Sequence, residues 1–287
     1  MSLLSPQLEA FIAVAKYKSV HRAAESIYLT QTAVTQRIRS LEHSLQTTLF
    51  IRTRRGMLLT PEGEGLLRYC HAAKELEGKA LAQIQGTGIQ AEVKITITAP
   101  TSIMRSRVII NCLPIIKKFP HLLIHFDVND IENRHSGLRS GQNDLAIVQE
   151  KDLAQEMSHK KLKPEQYVLV CSSQWKGRKL AEIIKSERII DFDPTDQITY
   201  DYLKQYQLSE NVQHGRYFVN RTEDLALLVC EGIGYTTLTK ELARSYIEDN
   251  KLIVLNNGKT LDISLFLAWY DRLEPPKYFS AIIDAIK

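Results

Sequence analysis

Residues 22–45, RAAESIYLTQTAVTQRIRSLEHSL, read as a short helix, a tight turn and a longer helix. From Val34 the apolar residues recur at Ile38, Leu41 and Leu45, in steps of four, three and four. That spacing stacks them on one helical face, which has to find a core. The opposite face carries Thr32, Gln36, Arg39 and His43, with Gln31 and Thr35 at its flanks near the start. None of these is acidic, and all can donate hydrogen bonds to base edges or phosphates. Thr30 stands where an N-cap belongs, and Ala23, Ala24 and Ile27 of the shorter helix are small packing partners. By itself the pattern also suits an amphipathic helix pair in any α-helical domain. With its neighbours it predicts a helix-turn-helix whose second helix is presented to a DNA major groove.

Upstream, Ser5-Pro6 opens a first helix, with the serine as cap and the proline at a position whose N–H has no partner. Leu8, Phe11, Ile12 and Ala15 give it an apolar face. Downstream, Leu49-Phe50-Ile51 and Met57-Leu58-Leu59 flank a basic tip, Arg52 to Gly56, which predicts a β-hairpin. Its arginines, Arg52, Arg54 and Arg55, suit a clamp on the phosphate backbone or minor groove, the wing of a winged helix; a solvated hairpin tip is the alternative.

Thr60-Pro61 again reads as cap and first helical residue, starting a helix to about Gln85. Along it Tyr69, Ala73, Leu76, Ala80 and Gln83 form a small-residue heptad seam, read as a dimerisation face, or else as a surface packed within its own domain. Gly86 and Gly88 in QGTGIQ then make a hinge. These signals divide the chain into a winged helix-turn-helix at 1–60, a linker and dimerisation helix with its hinge at 61–90, and a remainder at 91–287.

From Ala91 the texture changes to strands alternating with helices: VKITIT, LLIHFDV, DLAIV, YVLVCSS, RIIDFD, RYFVN, the Gly234–Thr237 region, LIVLN and ISLFLAWY. This predicts parallel-rich α/β sheets in two lobes, lobe I at about 91–163 and 268–287 and lobe II at about 164–267. Two crossing strands between lobes create a cleft, where ligands meet strand carboxyl ends and helix N-termini. The expected fold class is thus α/β, with an all-α-type winged helix-turn-helix at the N-terminus.

Composition agrees. With 287 residues, 44% hydrophobic and 24% charged, the chain is of ordinary globular make-up and long enough for two or three domains. MSLLSPQLEAF lacks the basic start and apolar run of a leader, and no stretch reaches 18 apolar residues, so a cytoplasmic protein without membrane contact is expected. Cys70, Cys112, Cys171 and Cys230 make no C-x-x-C pair, which favours buried thiols over disulfides or structural zinc, with a redox sensor as the alternative. Residues 1–90 hold 11 Lys+Arg against 7 Asp+Glu, while the rest holds 26 of each. The whole surplus of +4 therefore lies with the helix-turn-helix, as a DNA-binding head on a neutral sensing body would have it.

The segment AFIAVAKYKSVHRAAESIYLTQTAVTQRIRSLEHSLQTTLFIRTRRGMLLTPEGEGLL resembles the N-terminal domain of LysR-type transcriptional regulators. The α/β remainder fits that family's periplasmic-binding-protein-like effector domain, so the resemblance covers the whole chain, strongly at residues 8–68 and generically beyond about 90. It implies that Thr30 to Gln36 begin the recognition helix, that Gln31, Thr32, Thr35 and Gln36 face bases, and that Arg52, Arg54 and Arg55 sit on the wing. Thr32 stands where proline is usual and Gln36 where arginine is common, so base preference is not inherited. His21 replaces the usual hydroxyl at the start of the second helix, which predicts a weaker cap there.

The family's effector pocket includes the loop after the first strand, here Thr98 to Ser102. Thr101 and Ser102 start a helix whose free N–H groups suit a carboxylate. Asn129 and Asp130 after the second strand, Gln149 after the third, and Asn220 to Thr222 at a helix start are expected opposite; each is equally a cap or turn residue. DVNDIENRHSGLRSGQNDLAIV and LAWYDRLEPPKYFSAIIDAI are also similar to the lysine- and arginine-responsive branch of the family. In that case Asp127, Asp130 and Glu132 are candidates to pair with an effector ammonium group. The expected partners are double-stranded DNA, a small effector such as an amino acid or other carboxylate, further copies of the chain, and RNA polymerase as a candidate.

Enzyme signatures are missing. Gly232-Ile-Gly234 lacks the third glycine of a dinucleotide fingerprint and follows a helix, there is no G-x-S-x-G or H-E-x-x-H, and the eight histidines do not cluster at metal-ligand spacing. No cofactor, metal or catalytic residue is expected. The competing readings are a ligand-independent architectural DNA binder and an enzyme or solute-binding protein built on the α/β body.

Overall fold

The computed structural model describes residues 4–54, 56–84, 92–130, 134–272 and 275–287. The chain opens with α1 (Pro6–Tyr17), α2 (Val20–Ser26), α3 (Gln31–Leu45), the hairpin β1 (Phe50–Thr53) and β2 (Gly56–Leu59), and α4 (Pro61–Ile84). Each start has a local cause. Ser5 Oγ accepts from Leu8 N, Thr30 Oγ1 from Ala33 N and Thr60 Oγ1 from Gly63 N, so side chains satisfy N–H groups that the helices leave free. Ser19 caps α2 through Arg22 N, so the cap expected to be weak at His21 is supplied two residues earlier. Phe11, Val14, Ala23, Val34, Ile38, Leu41, Leu49 and Phe50 bury together, with the Phe11 and Phe50 rings 5.2 Å apart. Leu45 does not join them: it is 46% exposed at the end of α3, beyond the core that closes over Leu41.

The remainder runs through β3 (Val93–Ala99), α5 (Thr101–Ile103), a π-helical stretch Met104–Val108, α6 (Ile109–Lys118), β4 (Leu122–Val128), α7 (Arg134–Arg139), β5 (Leu145–Val148) and β6 (Ser158–Lys161). It continues with β7 (Glu165–Ser172), α8 (Leu180–Ser186), β8 (Ile189–Asp191), α9 (Ile198–Gln205), β9 (Arg216–Phe218), α10 (Thr222–Cys230), β10 (Thr236–Thr239), α11 (Lys240–Glu248), β11 (Leu252–Val254), β12 (Thr260–Ile263), β13 (Phe266–Trp269) and α12 (Lys277–Ala285). The hinge glycines Gly86 and Gly88 lie outside the described residues.

One sheet has the order β4-β3-β5-β13-β6, with β4, β3 and β5 parallel and β13 antiparallel to both of its neighbours. In the other lobe β8 pairs β9 in parallel and bridges to Tyr235 in parallel, while β7 pairs β10, β11 and β12 antiparallel. The sheets are therefore mixed rather than parallel-rich, because a strand that crosses between lobes enters its sheet against the grain. ISLFLAWY is two strands and not one: β12 pairs β7 and β13 pairs β5, and the chain changes lobe at Ser264-Leu265. Leu162 N donates to Leu265 O at 2.9 Å, which ties the outgoing and returning crossings side by side. β6, SHKK, has no apolar alternation and exists through its pairing with β13.

Cys70, Cys112 and Cys171 are buried in these cores, and burial pushes their thiols up to about 11, 11 and 12. Such thiols carry little thiolate and behave as small packing groups. No described helix is long and apolar enough to cross a membrane.

Candidate nucleic-acid interface and interlobe cleft

The buried stripe of α3 fixes what its other side shows. With Val34, Ile38 and Leu41 against α1 and α2, the side chains of Gln31, Thr32, Gln36 and Arg39 are exposed along the opposite surface. Thr35 is half-buried and its hydroxyl donates to Gln31 O at 2.8 Å, leaving it only acceptor capacity. Thr30 is exposed, and its hydroxyl oxygen caps the helix. Arg52 on β1 and Arg54 in the hairpin turn are exposed; Arg55 lies outside the described residues. The hairpin is seated on the end of α1 by Met57 N donating to Lys18 O at 2.9 Å. Gly56 makes that seat possible, with φ +105° and a position where a Cβ would lie 2.3 Å from Lys18 O.

Sequence reasoning missed two features here. Gln31 Nε2 lies 3.1 Å from His21 Nδ1, and His21 Nε2 lies 3.4 Å from Glu25 Oε1, a chain of contacts linking α2 to the start of α3. Tyr28, in the turn, is 95% exposed with left-handed backbone at φ +56°.

On α4, Tyr69 and Leu76 are 60% and 65% exposed, while Ala73 and Ala80 are half-buried; the side chain of Gln83 lies outside the description. Other residues of the same helix grip lobe I. Arg139 Nε meets Glu64 Oε2 at 2.9 Å, Arg68 donates to Arg139 O and stacks 3.9 Å over the Tyr270 ring, and His71 Nδ1 donates to Gly141 O. Gly141, at φ +68°, permits the approach: a Cβ there would meet His71 Nδ1 at 3.1 Å and Arg68 Cα at 3.3 Å. Nothing in residues 70 or more apart announces this clasp to a reader of sequence.

In the cleft, Thr101 N and Oγ1 both donate to the Asp130 carboxylate at 2.7 Å. The helix-start donors expected for a ligand carboxylate therefore hold one of the chain's own. Ser102 Oγ donates to Glu165, whose other oxygen accepts from Tyr167 Oη at 3.1 Å. Asn129 uses its backbone, donating from N to Ala99 O and accepting at O from Arg134 Nη1 at 3.0 Å. Gln149 is half-buried at the end of β5, Asn220 is exposed, and Thr222 is half-buried as the first residue of α10. Arg105 reaches Glu223 at 3.8 Å and Arg107 reaches Glu241 at 3.4 Å, so ion pairs join the π-helical stretch of lobe I to α10 and α11 of lobe II. Asp127 is half-buried on β4, and Glu132 lies outside the described residues.

Three charged residues that sequence reasoning passed over are buried here, and burial shifts each of them. Burial pushes the Glu165 carboxyl up, against the pull of hydrogen bonds from Ser102 and Tyr167. Burial lowers the Arg134 guanidinium, opposed by Asp152, Asp130 and Glu165. In lobe II, Asp191 is 1% exposed and is raised by burial, with Arg216 at 2.7 Å as its partner. Arg216 in turn lies about 5 Å from the Tyr200 and Phe218 ring centres. Among the described residues no group of three His, Cys, Asp or Glu could hold a metal ion.

Comparison with known proteins gives the geometry a context. The family model described as "Bacterial regulatory helix-turn-helix protein, lysR family" matches residues 6–64, and the "LysR substrate binding domain" matches residues 90–287. The HTH-type transcriptional regulator YofA of Bacillus velezensis is 46% identical over 84 residues, 29% of this chain and 29% of that relative, so the alignment spans under a third of its length. The structure of ArgP from Mycobacterium tuberculosis has TM-score 0.79 at 24% identity, covering 99% of this chain and 96% of that one. Full-length LysG from Corynebacterium glutamicum with bound effector Arg has TM-score 0.74 at 19% identity, covering 99% and 96%. At these identities the two structures establish the shared fold.

Proposed function

The chain belongs to the LysR family of bacterial helix-turn-helix regulators, and from that premise we propose that it is a sequence-specific DNA-binding transcriptional regulator controlled by a small ligand held between its two α/β lobes. The observation that carries the reading is the surface of α3. Gln31, Thr32, Gln36 and Arg39 are exposed on a helix anchored by a buried stripe, beside a hairpin carrying exposed Arg52 and Arg54. A cylinder of that width fits a major groove, and the arginines meet the flanking phosphates. Exposed Tyr69 and Leu76 on α4 support a homodimer, or a tetramer built from it, which pairs two heads over two half-sites. RNA polymerase is a further partner proposed for it.

For the ligand, the cleft supports an amphoteric molecule such as an amino acid. Its carboxylate competes with Asp130 for the Thr101 donors, and its ammonium group finds Asp130 and Glu165 nearby. The bound effector Arg named for LysG is of this class. Ligand and DNA are coupled by linkage: the ligand favours one arrangement of the lobes, and the α4 clasp on lobe I passes that preference to the paired heads.

The test uses the full chain. Genomic fragments retained on it are selected with and without each amino acid, and the same amino acids are screened by thermal shift. The reading expects a discrete set of retained fragments and at least one amino acid that both raises the melting temperature and alters retention. Retention of all fragments alike, with no ligand raising the melting temperature, contradicts it.

A further inference from the structure

We propose that His21 is a specificity-determining positioning residue, which holds the Gln31 amide so that it offers adenine an acceptor and a donor side by side. The proposal rests on the reading above, that the first turn of α3 meets base edges. Gln31 is the first residue of α3, and its backbone is already fixed: Thr30 caps the turn through Ala33 N, and the Thr35 hydroxyl ties onto Gln31 O. What is left free is a side chain with three torsions, able to turn its amide either way. A contact that depends on which end of the amide points outward needs something to hold it.

His21 supplies that hold. It is the second residue of α2, and its Nε2 faces Glu25 Oε1, one helical turn on, at 3.4 Å. An ionised carboxylate only accepts, so we assign the hydrogen of the neutral ring to Nε2, which makes Nδ1 the acceptor. Nδ1 lies 3.1 Å from Gln31 Nε2 and takes one of its two hydrogens. When the ring takes the N–H trans to Oε1, the oxygen and the N–H beside it remain together on the outward edge. Adenine presents the complement in the major groove, N6–H to Oε1 and N7 to the N–H. Glu25 thus orients the ring, the ring orients the amide, and neither Glu25 nor His21 has to touch a base.

The experiment selects duplexes from a randomised pool with the full chain, comparing wild type, Gln31→Ala, His21→Ala, His21→Asn and the His21→Ala/Gln31→Ala double variant. His21 is exposed, so folding is not at stake, and matching melting temperatures verify it. Gln31→Ala is expected to erase an adenine preference at one position of each half-site. His21→Ala is expected to weaken that same preference by about five- to tenfold, and the double variant to be no worse than Gln31→Ala alone. His21→Asn, whose Oδ1 replaces Nδ1 as an acceptor at the same distance from the backbone, is expected to keep it. If Gln31→Ala leaves every position unchanged, the assignment of Gln31 to the bases falls and the proposal with it. If Gln31→Ala acts and His21→Ala does not, the proposal alone falls. If His21→Ala weakens all sequences alike with a shallower salt dependence, His21 is a phosphate contact, and the proposal is overturned.

Discussion

Replacing Arg68 with alanine isolates the clasp between α4 and lobe I. The arginine makes two contacts across it, a charge-assisted hydrogen bond to Arg139 O and a stack 3.9 Å over the Tyr270 ring. A hydrogen bond from a charged group contributes about 1.5 kcal/mol when partly buried, and a partly exposed cation–π contact about 0.5 kcal/mol. Arg68→Ala should therefore shift the docked-to-undocked equilibrium by roughly 30-fold, at tenfold for each 1.4 kcal/mol. Glu64→Gln provides the contrast: its ion pair to Arg139 joins side chains that are 22% and 41% exposed, so screening holds its loss to about 0.5 kcal/mol or twofold. Hydrogen exchange reads the difference. The turn after α7, where Gly141, Gln142 and Asn143 donate back to Leu138 and Gly137, should exchange faster in Arg68→Ala by up to ~30-fold. α8 in lobe II should not change. Equal exchange of the turn in wild type and Arg68→Ala would mean that α4 does not hold lobe I in solution, and the route proposed from ligand to DNA would be refuted.

Three further outcomes follow from named side chains. Arg54→Ala should weaken binding to every DNA sequence and lower the slope of log affinity against log salt by about 1 per head; an unchanged slope removes Arg54 from the phosphates. Gly63→Ala and Gly78→Ala lie in the same helix and should have opposite signs, read from urea unfolding. At Gly63 a Cβ falls 2.3 Å from Leu49 O and must push the hairpin off α4, whereas at Gly78 nothing lies within 4 Å, and alanine should add about 0.5–1 kcal/mol. Finally, a carboxyl raised by burial favours folding while neutral, a contribution present below the ordinary value of 4.5 and lost as pH rises through the folded value. Glu165→Gln should therefore melt progressively higher than wild type as pH rises from 4 toward neutrality. A difference that shrinks over that range would show that Glu165 is stabilised as an anion.

What could be read from sequence was local. Val34, Ile38 and Leu41 announce their helix by period, and Ser5, Thr30 and Thr60 announce three helix starts by type, because a cap bonds within three residues of itself. Leu45 has the period but not the partner, and period alone does not tell where a core ends. β6 and the break between β12 and β13 were hidden, since pairing between lobes decides them and SHKK carries no apolar alternation. In the cleft, the loop at Thr101 and Ser102 was legible as a helix start. That its donors would be taken by Asp130 and Glu165, 29 and 63 residues away, was not. His21 was visible only as a departure from the family's usual hydroxyl, with no sign that its ring meets Gln31.

The central claim, that the exposed face of α3 lies in a major groove, is tested most directly by tethered cleavage. Thr32→Cys is made with Cys230→Ser, because Cys230 is the one native thiol that is not fully buried, and an iron chelate that generates hydroxyl radicals is attached at position 32. On a retained DNA fragment, strand cuts should cluster in two patches about one helical turn apart, each centred on a major groove. No cuts above those of free chelate, or cuts spread evenly along the duplex, would contradict the account.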